Sequence, residues 1–301
     1  MNKHSSLFNA ETQEYVFNQL NKREVVNAPE PMGKGRSGSQ VFRFQITSDD
    51  VHNAGWHVAK LSDNNDSEAR YATTEGVSCQ TLYDNADEKF KLHLLQSKVY
   101  PHKNLQIIVS RYAGLSRENS IVLCDLPKNQ VASYVEDIFY DLLSIWNYRI
   151  DYRSDVESFF STLLGERIKQ KGGKFAEKLS ELLENPLHQL IDFQHFKGKS
   201  YPNPYYYISN IQVLIDVINN SGQRAFIKGK THGDLHTENI ICDKRYNKSA
   251  YVIIDYSHYN SQSFILYDHA FLEADYYYQV LKDKEHWYGW HNCPICYNQL
   301  T

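Results

Sequence analysis

The segment THGDLHTENII, residues 231–241, places His, Asp, Glu and Asn side chains directly before an apolar pair. A second apolar run that ends in a carboxylate, YVIID, follows at residues 251–255. If both runs are strands of one hairpin, the side chains of Asp234, Asn239 and Asp255 meet at one end of it. Two carboxylates and a carboxamide form an oxygen-rich set of the kind that suits Mg²⁺ and phosphate chemistry. In such a set Asp234 is suited to accept the proton of an attacking hydroxyl.

A polar segment near the amino terminus carries the pattern Gly-x-Gly-x-x-Gly, at Gly33, Gly35 and Gly38. Backbone N–H groups can approach phosphate oxygens closely at such positions, because glycine has no Cβ. The segment runs into the strand-like stretch VFRFQI, residues 41–46, and not into a helix, which argues against a dinucleotide-binding Rossmann unit. The pattern favours a loop over phosphates, and a simple turn before a strand is the alternative.

The following strand-like run, WHVAKLS at residues 56–62, contains a lysine. Alternation along a strand places Val58 and Lys60 on one face, so that the lysine can point beneath the glycine segment. A buried lysine needs an anionic partner. The helix predicted next along the chain offers Glu68 and Glu75, about two turns apart on one face. The sequence does not choose between these two carboxylates.

Taken together, these segments resemble the aminoglycoside phosphotransferase and choline-kinase-like family, which shares the bilobal protein-kinase-like fold. The run HGDLHTEN at 232–239 is similar to the catalytic loop of that family, and IIDYS at 253–257 is similar to its metal-binding segment. VAK at 58–60 matches the strand with the ATP lysine, and YDHAFLEADYYY at 267–278 resembles the helix that follows. The likeness spans roughly residues 30–283, and it extends to kinase-like modules of bacterial conflict-system proteins.

The resemblance implies an α+β, bilobal fold with a sheet-rich amino-terminal lobe and a helix-rich carboxy-terminal lobe. Residues 1–112 would bind ATP, and residues 113–285 would form the catalytic lobe with a helical insertion at about 115–222 that shapes the acceptor pocket. Residues 286–301 would form a tail. Periodicity gives the same picture, with strand-like runs before residue 112 and an amphipathic helix at residues 131–148.

Carried over position by position, the resemblance also implies a reaction, the transfer of the ATP γ-phosphate to a hydroxyl of a small molecule. Asp234 would orient or deprotonate that hydroxyl, and Asn239 and Asp255 would hold Mg²⁺ against the ATP phosphates. His232 would be structural and would connect the catalytic loop to the metal-binding segment.

The nucleotide itself would be held mainly by the first lobe. Lys60 would contact the α and β phosphates, braced by Glu68 or Glu75. The glycine segment would cover the phosphates, and a hinge that begins at Ser110 would receive adenine through backbone groups. The residues assigned to these two elements are Gly33, Gly35, Ser37, Gly38, Ser39, Arg111, Tyr112 and Ala113.

The class of phosphate acceptor is indicated by the length of the chain between Ser257 and Asp268. Tyr256 and Ser257 stand where protein kinases have Phe-Gly, and only ten residues separate Ser257 from Asp268. The activation segment with which protein kinases dock peptides is therefore absent from the sequence, which favours a small-molecule acceptor. Two alternatives remain: a nucleotide-binding pseudokinase that acts as a sensor or scaffold, and an atypical protein kinase that lacks this segment.

Acidic residues of the last predicted helix have more than one interpretation. Asp268 is expected to cap the helix. Glu273 and Asp275 either face solvent or attract a cationic acceptor molecule. His236 in the catalytic loop is expected to pack within the loop and not to act as a base.

Composition narrows the class of partner. With 32 basic and 36 acidic residues, the net charge of −4 provides no basic footprint for nucleic acid. The first residues contain no apolar signal region and no apolar run reaches membrane length, so a cytoplasmic protein without a membrane partner is expected. The five cysteines do not form a disulfide framework. Cys293 and Cys296 are either ordinary thiols or half of a zinc site completed by His286 or His291 or by a protein partner of the tail.

Overall fold

The computed structural model places thirteen stretches of the chain in two compact units. The described residues are 7–20, 24–25, 27–34, 39–47, 54–63, 70–113, 119–147, 152–154, 193–196, 199–202, 211–220, 226–244 and 250–282. The first unit comprises Met1–Tyr148, His232–Asn260 and Asp268–Thr301, and the second comprises Arg149–Thr231 and Ser261–Tyr267. Both units contain helices and strands, so the described part of the chain is an α+β structure with a sheet-rich amino-terminal region.

A six-stranded antiparallel sheet forms the amino-terminal part of the first unit. Its path runs β1-β3-β4-β6-β5, and β2 also pairs with β3. The predicted strands at 41–46 and 56–62 are confirmed as β3 and β4. The six strands are β1 (Glu24–Val25), β2 (Glu30–Lys34), β3 (Gln40–Thr47), β4 (Gly55–Asp63), β5 (Ser97–His102) and β6 (Leu105–Arg111).

Alternation along these strands gives the sheet two chemically different faces. One face is a hydrophobic core with helix α1 (Ala10–Gln19), built from Phe8, Val16, Leu20, Phe42, Phe44, Ile46, Ala59, Leu61, Ile107 and Val109. The opposite face carries the intervening residues of the same strands, where Lys60 lies between Val41 and Ile108 in the cross-strand register. The period-2 pattern therefore buries one row of side chains in the core and places Lys60, with Val41 and Ile108, in a row on the opposite face, which is called the lysine row here.

Helix α2 (Arg70–Asp84) follows β4 and contacts β5 and the turn Tyr256–His258. Glu75, Cys79 and Leu82 are buried on it at spacings of four and three residues, which marks its inner face. The run KLHLLQSKVY at residues 91–100 has the alternating pattern that predicts a strand, and this prediction is wrong in its first part, because Phe90–His93 is a 3-10 turn. Burial of Phe90 and His93 at a spacing of three favours that turn, and β5 begins only at Ser97.

A second core of the first unit surrounds a three-stranded sheet in the order β13-β12-β7. The strands β12 (Ile240–Asp243) and β13 (Tyr251–Ile253) form the predicted hairpin, with Ile240 opposite Ile253, and β7 (Ser120–Val122) pairs with β12. Two helices pack here, α3 (Lys128–Asp141), which continues in a π-helical turn to Trp146, and the helix Tyr267–Lys282. The core includes Leu94, Leu123, Val131, Tyr134, Ile138, Leu142, Leu235, Ile240, Ile253, Tyr256 and Leu272.

Among its described residues, the second unit has a three-stranded sheet in the order β14-β11-β8, a hairpin and one helix. Its elements are β8 (Tyr152–Ser154), β9 (Phe193–Phe196), β10 (Lys199–Pro202), α4 (Ile211–Asn220), β11 (Phe226–Thr231) and β14 (Asn260–Phe264). The helix Tyr267–Lys282, which packs in the second core of the first unit, is α5. Residues 155–192 of the predicted helical insertion lie outside the described residues, as does the tail with Cys293 and Cys296. In the described ranges, no helix has both the length and the apolar character needed to cross a membrane.

Candidate functional site

A cavity of about 420 Å³ lies in the first unit, within the range of small-molecule sites. Most of its wall is aliphatic and comes from the lysine row of the large sheet and from the β7-β12-β13 sheet. Polar side chains complete the lining, and the group of Lys60, Glu75, Asn239 and Asp255 is called the polar end here. The aliphatic residues include Val41, Val58, Ile108, Ile121, Ile241 and Ile254, and the lining also has Ser97, Ser110, Arg111, Tyr112 and Ser120.

Lys60 joins three separate elements at the polar end. Its Nζ lies 2.6 Å from Glu75 Oε2 on α2 and 3.3 Å from Asp255 Oδ2, just after β13. Burial disfavours the charged lysine, but the carboxylates of Glu75 and Asp255 outweigh that cost and raise the pKa of Lys60 above its ordinary value. The lysine is therefore held as a cation whose position is fixed by two carboxyl groups.

The two carboxylates respond differently to this environment. Burial raises the pKa of Glu75 to about 7, although Lys60 opposes the shift. Burial also disfavours ionisation of Asp255, but Lys60, a Ser257 hydrogen bond and His232 outweigh it, so the pKa of Asp255 is lowered. Glu75 is thus the described carboxylate that pairs with Lys60, and Glu68, the other candidate, lies outside the described residues.

Asp255 has an unusual backbone conformation. Its φ of 64° and ψ of 70° lie in the left-handed region, which Asp, Asn and Gly tolerate better than other residues. Its Oδ1 atom is buried and has no hydrogen-bond partner in the described part of the chain. A buried, unsatisfied carboxylate oxygen is costly unless it binds a cation or a donor, and so this atom is a candidate ligand for a metal ion.

Asn239 ends the 3-10 turn Thr237–Asn239 and is buried. Its Nδ2 donates to the carbonyl oxygen of Asp234 at 2.9 Å, which leaves Oδ1 as the end that can bind a cation. The Ile254 N–H donates to the Asn239 carbonyl at 2.9 Å and connects the loop to the residue before Asp255. Amide and carboxylate oxygens bordering one cavity fit a Mg²⁺ ion that also takes phosphate oxygens.

Metal-binding clusters of His, Cys and acidic side chains are absent from the described ranges. No group of three or more His, Cys, Asp and Glu side chains there is arranged to hold a metal ion. The pair of Asn239 and Asp255 is not of that class, because one member is a carboxamide.

Asp234 lies in the loop between β11 and β12, beside the cavity and not in its wall. Its carboxylate is 32% exposed, and Oδ2 is 3.8 Å from the Nε2 atom of His236. His236 is buried, in accord with a loop-packing role, and its Nδ1 has no hydrogen-bond partner among the described residues. The carboxylate of Asp234 is therefore accessible to a molecule outside the chain.

Asp268 holds the start of this loop, and its predicted role as a helix cap is wrong. The N–H groups of His232 and Gly233 donate to its two carboxylate oxygens at 2.6 and 2.9 Å. The loop turns away from β11 with φ of +82° at Gly233, so these N–H groups have no strand partner and take Asp268 instead. Burial raises the pKa of Asp268, although the two N–H groups and His232 oppose the shift.

His232 connects the loop to the segment before Asp255, as its Nε2 lies 2.9 Å from the carbonyl oxygen of Ile254. Burial lowers the pKa of His232, so the imidazole is neutral at neutral pH. Its ring contacts that of Tyr256 at 5.0 Å between centroids. The hydroxyl of Tyr256 donates to the Ile253 carbonyl at 2.8 Å, so a Tyr at this position leaves no unsatisfied oxygen.

The end of the loop is held by Asp275, which the sequence predicted to face solvent or an acceptor molecule. The N–H and the hydroxyl of Thr237 both donate to Asp275 Oδ2. Asp268 and Asp275 are seven residues apart on α5, hence two turns apart on one face. That spacing next to a loop rich in N–H donors is the signal that would have assigned both carboxylates to the loop.

The segments assigned to adenine and to the phosphates are placed as follows. Arg111, Tyr112 and Ala113 line the cavity, and the N–H of Tyr112 donates to the Trp56 carbonyl at 2.8 Å. Gly33 lies within β2, and the hydroxyl of Ser39 is 2.7 Å from that of Ser62. The remaining residues of the glycine segment, Gly35, Ser37 and Gly38, lie outside the described residues.

The raised pKa of Glu75 predicts a pH-dependent stability. Near its folded pKa of about 7, Glu75 still holds part of a proton that the unfolded chain, with a pKa of 4.5, has released, and it loses this proton between about pH 6.5 and 8. The free energy of unfolding should therefore fall by about 1 kcal/mol as pH rises through this window. Lys60 does not titrate in this window, because the shift of its pKa lies above pH 10.5. The lowered pKa of His232 has the opposite effect near its ordinary value of 6.5, so the contribution of Glu75 is read from the difference between the wild type and a variant without this carboxyl.

Urea unfolding at several pH values measures this effect, with Glu75→Gln as the comparison. The groups that face Glu75 are Lys60, Asp255 and Cys79. Because glutamine cannot titrate, the variant should lose this decline relative to the wild-type protein. Parallel pH profiles of the two proteins would show that Glu75 is fully ionised at neutral pH.

Comparison with known proteins adds one similarity. Residues 151–289, less than half of the chain, match the family model of Ternary complex associated domain 9. This range includes Asp234 and Asn239 of the loop and Asp255 after β13, and it excludes Lys60 and Glu75. No curated protein matches the chain significantly.

Proposed function

We propose that this chain is a Mg²⁺-dependent phosphotransferase that moves the γ-phosphate of ATP to a hydroxyl of a small molecule. One observation carries the proposal: Lys60, paired with Glu75 and Asp255, shares the polar end of one cavity with Asn239. A cation, an unsatisfied carboxylate oxygen and an amide oxygen beside an aliphatic chamber suit a nucleotide whose phosphates lie at the polar end.

The base would occupy the aliphatic part of the cavity. Val41 and Val58 on the large sheet and Ile241 on β12 provide the apolar surfaces on which adenine can pack. Because the Tyr112 N–H is already bonded to Trp56, recognition of the base edge would fall to backbone groups of Arg111 and Ala113. The triphosphate would extend toward Lys60.

At the polar end, the Asn239 and Asp255 oxygens would hold Mg²⁺, which when bound neutralises charge on phosphate oxygens. Lys60 would bind α- and β-phosphate oxygens while Glu75 keeps its ammonium in place. In-line transfer breaks the bond from the γ-phosphorus to the β–γ bridging oxygen and forms one to the acceptor oxygen. The chain contributes position and charge, and no covalent intermediate with a protein side chain is required.

Asp234 would accept the hydroxyl proton of the acceptor. Its carboxylate is accessible beside the cavity, and its backbone is fixed by Asn239 and, through His232 and Gly233, by Asp268. ADP and the phosphorylated acceptor would be the products. General-base assistance of this kind accelerates a reaction by about 10² to 10⁴-fold.

A protein-kinase-like fold of the aminoglycoside phosphotransferase and choline-kinase type is part of the proposal, as is a cytoplasmic location. The sequence resemblance and the antiparallel sheet with its lysine opposite the β12–β13 hairpin support the fold. The short passage from Asp255 through the turn Tyr256–His258 to the strand Asn260–Phe264 supports a small acceptor, since it leaves no long segment for peptide docking.

A second candidate function is a nucleotide-binding scaffold or sensor without catalysis. The match to Ternary complex associated domain 9 favours it, because that name describes association within a complex. Under this alternative the cavity would still take a nucleotide and Mg²⁺, but no acceptor would be phosphorylated. A protein partner through the tail, and action as an atypical protein kinase, belong to the same group of alternatives.

The experiment that tests the proposal compares nucleotide binding and turnover in the wild-type protein and in Asp255→Asn. Asparagine tolerates the left-handed backbone, so the variant removes the charge and preserves the turn. We expect Mg²⁺ to increase the affinity of the wild type for ATP, and the variant to lose about tenfold or more of this affinity, measured by calorimetry with and without Mg²⁺.

Turnover is measured by mass spectrometry of a metabolite extract supplied with Mg·ATP, in which a new phosphorylated product is expected with the wild type. Binding without any product across broad acceptor panels would support the scaffold. Unchanged Mg²⁺-dependent affinity in Asp255→Asn would contradict the assignment of the metal site.

A further inference from the structure

The connection between Thr237 and Asp275 is not used by the chemistry described above. Thr237 is fully buried in the loop between Asp234 and Asn239. Its N–H donates to Asp275 Oδ2 at 2.7 Å, and its hydroxyl donates to the same oxygen at 2.5 Å. Two hydrogen bonds to one ionised oxygen are charge-assisted and are among the stronger contacts that a loop can make.

The contact of Thr237 with Asp275 fixes the turn that carries Asn239. Thr237 is the first residue of the 3-10 turn that ends at Asn239, and the Asn239 N–H donates to the His236 carbonyl at 2.9 Å. The turn presents the Asn239 side chain, whose Nδ2 is held by the Asp234 carbonyl. An anchor on Thr237 therefore limits the movement of the Asn239 amide by fixing the turn on which it sits.

We propose that Asp275 is a positioning residue for the metal site, which acts through Thr237 on Asn239. The inference rests on the proposed function, since it assigns a purpose to the same site. It replaces both interpretations of Asp275 from the sequence, a charge that faces solvent and a charge that attracts a cationic acceptor, because its Oδ2 already accepts from two donors of the loop. Glu273, two residues earlier on α5, is exposed and provides the contrast.

The test measures Mg²⁺ dependence and needs no acceptor. Binding of the non-hydrolysable β,γ-imido analogue of ATP is measured by calorimetry at a series of Mg²⁺ concentrations, and binding of adenosine is measured in parallel. Adenosine has no phosphates and reports on the base pocket alone. The variants are Asp275→Ala and Thr237→Val, with Thr237→Ser as the conservative variant and Glu273→Ala as a matched loss of charge on the same helix.

We expect Asp275→Ala to raise the half-saturating Mg²⁺ concentration about tenfold, in the range seen when groups that orient metal ligands are removed. Thr237→Val should shift it in the same direction by a smaller factor, because it keeps the N–H donor. Thr237→Ser and Glu273→Ala should match the wild type, and adenosine affinity should stay within about twofold in every variant.

Three results would overturn the inference. An unchanged Mg²⁺ requirement in folded Asp275→Ala and Thr237→Val would show that the anchor does not reach Asn239. Equal losses of adenosine and analogue binding would indicate a structural role only. A wild-type protein that binds neither adenosine nor the analogue would refute the proposed function itself, so that failure is distinguishable from the first two.

Discussion

Asp234→Asn is expected to lower phosphate transfer from Mg·ATP about 10³-fold, while nucleotide affinity stays within about twofold of the wild type. The amide is isosteric with the carboxylate but cannot take the proton of the attacking hydroxyl. Asp234 is not part of the cavity wall, and its contact with Asn239 uses the backbone carbonyl, which the substitution leaves in place. The loss should therefore fall on the rate of transfer and not on binding.

Single-turnover release of ADP, measured with saturating Mg·ATP and an acceptor identified by the metabolite screen, gives the rate. Glu238→Gln is the matched control, because it removes a carboxylate from the same loop two residues beyond His236 and should leave the rate near that of the wild type. Retention of wild-type turnover by Asp234→Asn would exclude Asp234 as the proton acceptor and would shift the search to another base.

Gly233→Ala is expected to have the largest effect on stability, a loss of about 3 kcal/mol or more in the free energy of unfolding. Gly233 has φ of +82°, which costs any other residue conformational strain, and a Cβ there would lie 2.2 Å from the backbone carbonyl oxygen of His258. The contact is with backbone, so no side-chain rotation can relieve it. Either the loop between β11 and β12 or the turn after Asp255 has to move.

Gly55→Ala separates the two contributions to that loss. Gly55 also has a positive φ, +112°, but no atom lies within 4 Å of the position of a Cβ there. Its substitution should cost only the backbone strain, about 1 to 2 kcal/mol. Urea unfolding of the two variants therefore gives the cost of the His258 contact by difference, and equal losses would contradict a steric origin.

Much of the site was accessible from the sequence because local patterns carry it. The runs before Asp255 and after Asn239 have the apolar character of paired strands, and the hairpin of Ile240 and Ile253 brings their ends together as expected. Lys60 follows the same logic, since alternation alone assigns it to the face opposite the Phe44 core. Where a residue's place depends on strand period and hairpin register, sequence reasoning succeeds.

The failures concern contacts between segments far apart in the chain. The sequence predicted the roles of Asp268 and Asp275 from their positions on their own helix. In the structure each accepts hydrogen bonds from a loop more than thirty residues away. The choice of Glu75 as partner of Lys60 likewise depends on how α2 docks. The alternating apolar residues around the turn Phe90–His93 predict a strand. The structure has a 3-10 turn there, and the His93 ring lies at hydrogen-bond distance from the Tyr251 carbonyl, a contact that depends on the tertiary fold.

The left-handed turn at Asp255 has a consequence for the divergence of this site. The backbone there accepts Asp, Asn and Gly with the least strain, and of these three only Asp carries a charge. Substitutions at this position are therefore expected to favour Asn or Gly, which preserve the backbone conformation but lack the negative charge. In a descendant chain with the same hairpin, either residue at this turn would mark a protein that kept its architecture and lost the carboxylate of the proposed metal site.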